Sequence, residues 1–276
     1  MRFVKMHALG NDYVYIDRFQ EKGEVTPDLI RRMSDRHTGI GGDGVILIWP
    51  SERAACRMQM FNADGSEGQM CGNGMRCIAK YVYEAGYVTS EEFDIETRAG
   101  ICHQWVRVRD GKVDEVTSTL NPPVFEREGI PMTGEGSTVA IPLPLQDRTL
   151  SITSFSLGSP HTVTFVETLD GYPCEQIGPQ IENHAWFPER TNAEFVEVLS
   201  RDRLRMRIWE RGTGMTLASG SGSTACVVAA VVSGKTDRKV TVELPLGQIQ
   251  VEYPEQGRLL MTGPVTRVFQ GEWVAE

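Results

Sequence analysis

Apolar positions along the chain fall into two kinds of run. RMQMF at 57–61 and RLRMRIW at 203–209 place an apolar side chain at every second residue, the period of a half-buried β-strand. VILIW at 45–49 is continuously apolar behind a glycine-rich stretch and reads as a buried strand. CIAKYVYEAG at 77–86 and ACVVAAVVSG at 225–234 are apolar stretches of helical length, each closed by a glycine. VTRVFQGEWV at 265–274 alternates again and reads as a last strand returning to the first half's sheet. Both helical stretches open from loops of small residues, MCGNGMRC at 70–77 and ASGSGSTAC at 218–226.

The two loops share one register. Cys71 and Ser219 lie 148 residues apart, and the same offset takes Gly72 to Gly220, Asn73 to Ser221, Gly74 to Gly222 and Gly86 to Gly234. Upstream it takes Leu9-Gly10-Asn11 to Leu157-Gly158-Ser159, and Phe61-Asn62 to Trp209-Glu210. Four separated segments keeping one offset point to an internal repeat rather than to chance matches among glycines. The pattern therefore predicts two similar α/β halves, each with strands wrapped about one helix. LNPPVFEREGIP at 120–131, with adjacent prolines, reads as the connection. The expected domains are 1–118, joined by a returning tail at 264–276, and 119–263.

Composition narrows the class without changing that picture. The 276 residues are 40% hydrophobic and 24% charged, as in a globular protein of two ordinary domains. A net charge of −9 argues against nucleic acid or an anionic membrane as partner. No apolar run is long enough to cross a bilayer, and MRFVKMHALGNDY lacks the unbroken apolar segment of a signal peptide, so a cytoplasmic protein is expected. The cysteines at 56, 71, 77, 102, 174 and 226 are scattered without metal-type spacing and read as thiols, mostly small buried hydrophobes.

The chemistry follows from the paired loops. A helix N-terminus offers unpaired backbone N–H groups and partial positive charge, and glycines let a ligand approach closely. Two such termini suit a carboxylate. A cysteine at the opening of one, Cys71, has its thiolate favoured. Together these suit removal of a proton from the carbon beside a carboxylate, with charge spreading onto the oxygens. One loop alone reads as an ordinary glycine-rich cap; two in register read as a site. RHTGIGGDGVI at 36–46 lacks the G-K-[ST] ending of a phosphate loop and does not open a helix, so it is read as a turn lining the cleft. FPERTNAEFVEV at 187–198 places Asn192 just before a strand, 148 residues beyond Gly44 of that turn.

The chain resembles the diaminopimelate epimerases over essentially its whole length, through KMHALGNDYVYID, RHTGIGGDGVI, FNADGSEGQMCGNGMRC, GSPHTV, FPERTNAEF and WERGTGMTLASGSGS. The resemblance implies an α/β (α+β) fold of two pseudo-symmetric domains, each a strongly curved sheet or barrel around a central helix, with the active site in the interdomain cleft. It implies a pyridoxal-phosphate-independent isomerase of lysine and peptidoglycan precursor synthesis that converts LL- to meso-diaminopimelate with two cysteine bases. Neither metal nor organic cofactor is expected, the partner is a small amino acid, and a homodimer is a further expectation. Position by position, Cys71 falls on one catalytic cysteine, and Gly72 and Asn73 on the loop that binds the reacting carboxylate. Gly220 and Ser221 are their counterparts in the second loop. Asn11 lines the reacting end. Asn62, Asn192, Glu210 and Arg211 fall where the family recognises the distal amino acid centre and carries cleft charges. His161 falls where the family keeps a histidine near the first cysteine, a proton acceptor for that thiol. Without the resemblance these asparagines would read as turn formers, Arg211 as a surface charge and His161 as a satisfied loop histidine.

Three positions depart from the family pattern. Ser219 stands where the second catalytic cysteine belongs, Ser159 replaces a substrate-contacting asparagine, and Met215 replaces a glutamate. A hydroxyl is far less acidic than a thiol, and Cys226, two turns along the helix and about 10 Å from the loop, cannot substitute. Ser219 can be an introduced change that traps an inactive form, although this leaves Ser159 and Met215 unexplained. It can be a natural variant in which Ser219, helped by Glu210, is a slower acid or base. The protein can also have turned to another reaction: a racemase of a different amino acid, a one-base lyase, or an amino-acid-binding homologue without catalysis.

Overall fold

The alternating runs are strands, and each half of the chain hangs its strands around one buried helix. The computed structural model describes residues 1–274. Two units divide it: Met1–Thr119 together with the chain from Thr262 onward, and Leu120–Met261.

In the first unit, strand Arg2–Ala8 turns back through Leu9 and Gly10, both left-handed (φ 54° and 91°), into the antiparallel strand Asn11–Asp17. That strand pairs in parallel with Gly44–Trp49. A parallel pair needs a crossover, and helix α1, Pro27–Ser34, lies within it. Thr26 caps α1 by accepting from the Leu29 N–H, and Pro27 sits where no N–H is needed. Gly44–Trp49 pairs antiparallel with Cys56–Asn62, and Glu92–Thr97, Gly100–Arg109 and Lys112–Leu120 continue the ladder. Helix α2, Gly72–Glu84, packs Met75, Ile78, Ala79 and Val82 into a core that includes Met6, Tyr13, Tyr15, Ile46 and Met58. Each fully buried Met, Ile or Val side chain among them contributes about 1.5–3 kcal/mol.

The second unit repeats the plan. Thr149–Ser156 pairs antiparallel with Pro160–Val166, which pairs in parallel with Asn192–Ser200. Helix α3, Cys174–Glu182, lies in that crossover, and Arg203–Glu210, Lys239–Leu244 and Gly247–Glu252 follow. Helix α4, Gly220–Val232, is buried throughout Gly222–Ala230 and apolar around its circumference. Its four valines are indifferent helix formers. Packing therefore holds α4 more than propensity does. Both α2 and α4 are 13 residues long, and their first and last residues are 148 apart. The parallel registers repeat at the same interval, Tyr13 opposite Gly44 and His161 opposite Asn192. The repeat is thus one of backbone structure as well as sequence.

Strand Thr266–Glu272 pairs antiparallel with Arg2–Ala8, and Met1 and Trp273 exchange backbone hydrogen bonds of 2.8 and 2.7 Å. Its sequence alternates, yet nearly every residue is exposed. Backbone pairing holds it more than burial does, with Phe269 resting edge-on against Phe3. Among the described residues no helix is long and apolar enough to cross a membrane.

Candidate active site

Cys71 is the N-cap of α2. Its backbone is extended (φ −133°, ψ 115°), and Sγ accepts from the Gly74 N–H at 3.3 Å. Ser219 caps α4 in the same way, with φ −135°, ψ 123° and Oγ accepting from the Gly222 N–H at 3.2 Å. The glycine at the third helical position is set by packing. A Cβ on Gly74 would meet Ile46 Cδ1 at 2.5 Å, and one on Gly222 would meet Ile208 Cδ1 at 2.6 Å. Serine is among the best N-cap residues and cysteine is not. Capping thus accounts for Ser219 and leaves the thiol at 71 to be explained by chemistry.

Around the Cys71 sulfur the first unit gathers polar groups. The thiol donates to Asn11 Oδ1 at 3.4 Å, and Asn73 Nδ2 donates to the same oxygen at 3.2 Å. Buried Arg76 donates to Asn73 Oδ1 at 2.8 Å. Burial brings this guanidinium down to about 10, so it remains a cation at neutral pH. A buried cation and helix N–H groups so close favour negative charge on sulfur. Asn11 is held in turn by donating to Asp43 at 2.7 Å. Arg36 bridges Asp43 and Asp12, and Lys5 pairs with Asp12 at 2.6 Å and donates to the Gly41 carbonyl. Burial alone would raise the Asp12 carboxyl, but the hydrogen bonds from Arg36 and Lys5 outweigh it and hold the group below its usual range. The RHTGIGGDG turn thus braces Asn11. Asn62, opposite Gly44 in the strand register, donates to Ser66 Oγ at 3.0 Å.

In the second unit Ser219 Oγ lies 3.5 Å from Ser221 Oγ. His161 and Glu194 are fully buried, with Nδ1 to Oε1 at 2.6 Å, and His161 Nε2 is 3.2 Å from Ser159 Oγ. Burial raises the Glu194 carboxyl, against the pull of His161 beside it. Asn192 is the first residue of its strand rather than the residue before it; it donates to the Pro160 carbonyl and accepts from the Arg211 N–H. Glu210 accepts from the Thr216 hydroxyl, and Met215 pairs across from Trp209. Glu182 of α3 fixes this turn, accepting from Trp209 Nε1 at 2.6 Å and from the Gly212 N–H at 2.8 Å.

Sequence reasoning missed Glu194 and Glu182. Glu194 left one trace, an acid inside the apolar run Ala193–Phe195–Val196. Glu182 left none: the Trp209 and Gly212 groups it holds lie 27 and 30 residues away. No group of three or more His, Cys, Asp or Glu suited to a metal occurs among the described residues.

A family model for diaminopimelate epimerase matches residues 3–125 and 153–268. The chain belongs to the diaminopimelate epimerase family. It is 48% identical to the diaminopimelate epimerase of Moorella thermoacetica, over 99% of each chain. It is 45% identical to that of Acetivibrio thermocellus, over 99% of this chain and 98% of the other. Among solved structures, a probable proline racemase from Agrobacterium radiobacter superposes with a TM-score of 0.75 at 13% identity, covering 100% of this chain and 93% of that one. A PhzF-family phenazine biosynthesis protein from Bacillus anthracis gives 0.72 at 18%, covering 100% and 99%. These distant likenesses establish the two-domain fold alone.

Within this family member the thiols are unequal. Burial pushes Cys56 and Cys77 up to about 12, Cys174 to about 11, and Cys226 well above its ordinary value. Cys102 is buried as well, whereas Cys71 is half-buried. Raised thiols stay protonated and unreactive until the pH approaches those values. Brief iodoacetamide treatment of the native protein at pH 8 is therefore expected to alkylate Cys71 alone, read by peptide mass mapping. Equal labelling of any other cysteine would contradict the burial pattern.

Proposed function

We propose that the chain is an amino acid epimerase that interconverts LL- and meso-diaminopimelate by deprotonating and reprotonating the α-carbon. The observation that carries this reading is the thiol at an N-cap, in contact with the Gly74 N–H of α2 and with Asn11, which Asn73 also holds. Cys71 takes the α-hydrogen, and the opening amides of the helices stabilise the carboxylate as charge spreads onto it. His161 receives the proton that Cys71 must shed to become a base, and Ser219, with Glu210, serves the opposite face of the carbon. Asn62, Asn192 and Arg211 recognise the distal amino acid centre.

Ser219 favours a second reading. Its hydroxyl is occupied as a cap and is far less acidic than a thiol, so proton abstraction can be one-sided. A proton NMR time course of LL- and meso-diaminopimelate in D₂O, with ordinary amino acids alongside, separates the possibilities. Epimerisation with solvent deuterium at the α-carbon is expected. Exchange with retained configuration would mean a one-base enzyme. An unchanged spectrum with bound ligand would mean a binding protein and end the proposal.

A further inference from the structure

The epimerase reading uses His161 but gives no task to the groups on either side of it. His161 and Glu194 lie on the adjacent parallel strands Pro160–Val166 and Asn192–Ser200 with no exposed side-chain surface. A buried carboxylate is retained only where something pairs with it. Here it pairs with Nδ1 at 2.6 Å, while Nε2 meets Ser159 Oγ at 3.2 Å. When Nδ1–H donates to Glu194, Nε2 is left to accept from the Ser159 hydroxyl. Ser159 follows Gly158, whose φ of 94° makes the hairpin turn, and it is half-exposed although the two groups behind it are sealed. A line of contacts therefore runs from a hidden acid through an imidazole to an accessible hydroxyl.

The repeat supplies an internal control. At the same offset the first unit has Asn11, Tyr13 and Ile46, which include neither acid nor imidazole. The architecture does not require this trio, and a hairpin serine needs no buried acid behind it. Hydroxyl, base and orienting acid within hydrogen-bond reach is the arrangement that activates a serine.

We propose that Ser159 is an activated nucleophile and gives the second unit an acyl-transfer activity toward esters of small carboxylic acids, amino acid esters among them. Ser159 Oγ attacks the carbonyl carbon as its proton passes to His161 Nε2. The tetrahedral adduct collapses, the bond to the alcohol oxygen breaks, and His161 returns the proton to that oxygen. Water then attacks the acyl-serine by the same route, releasing the acid and restoring the hydroxyl. Glu194 holds the ring and balances its transient positive charge. No step involves Cys71, so Cys71→Ala is expected to remove the epimerisation and leave this activity, although both draw on His161.

The test is incubation of the full chain with a fluorophosphonate probe, followed by intact-mass analysis and peptide mapping, with p-nitrophenyl acetate hydrolysis measured in parallel. One phosphonyl group on Ser159 is expected, absent from Ser159→Ala. The labelling rate is expected to fall at least about 100-fold in His161→Gln, and to fall also in the near-isosteric Glu194→Gln. Circular dichroism and urea midpoints establish that each variant is folded; if His161→Gln is not, Glu194→Gln decides. No adduct on Ser159, or an undiminished rate in folded Glu194→Gln, overturns the proposal. Labelling of Ser219 instead would also overturn it.

Discussion

Cys71→Ala is expected to stop exchange of the α-hydrogen from one antipode of the substrate in D₂O, a loss of at least about 10²–10⁴-fold, the scale of a positioned general base. The sulfur meets the Gly74 N–H and Asn11 Oδ1, the oxygen that Asn73 also engages. Alanine removes the cap along with the base, so the variant needs a partner. Cys71→Ser keeps an oxygen acceptor for Gly74 N–H, as Ser219 already provides for Gly222. It is expected to match the parent in urea denaturation while losing exchange as fully as the alanine variant. Exchange that survives unchanged in either variant would remove Cys71 from its assigned role.

The second large effect runs in the opposite direction. Ser219→Cys is expected to raise the epimerisation rate by about 10²-fold or more, because a thiol reaches its anion near neutral pH and a hydroxyl does not. The backbone is already suited to it. The two caps differ by 2° in φ and 8° in ψ, and at position 71 the same geometry holds a sulfur 3.3 Å from the third helical N–H. Comparing initial rates from LL- and meso-diaminopimelate for the two proteins checks this. An unchanged rate would place Ser219 outside the reaction.

Much of the architecture was legible because the repeat wrote it twice. The 148-residue offset read from glycines recurs in the limits of α2 and α4 and in the parallel registers at Tyr13–Gly44 and His161–Asn192. The grouping of Asn11 with Asn73 and Cys71 could be anticipated only through the family resemblance, since 60 residues of chain separate Asn11 from Cys71. Glu194 and Glu182 escaped for a physical reason. Each is defined by hydrogen-bond partners on another element, and a lone acid in an apolar run does not name its partner. The exposure of Thr266–Glu272 was equally hidden, because period-two alternation also arises in a strand held by its backbone.

The pairing of Thr266–Glu272 with Arg2–Ala8 has a consequence for biosynthesis. The ribosome completes Leu120–Met261, a contiguous unit, before it delivers the strand that the earlier unit still lacks. Nascent Met1–Thr119 must wait with the free side of Arg2–Ala8 unpaired, an edge open to other chains. The later-made unit can therefore mature first, reversing the usual amino-to-carboxyl order of domain completion.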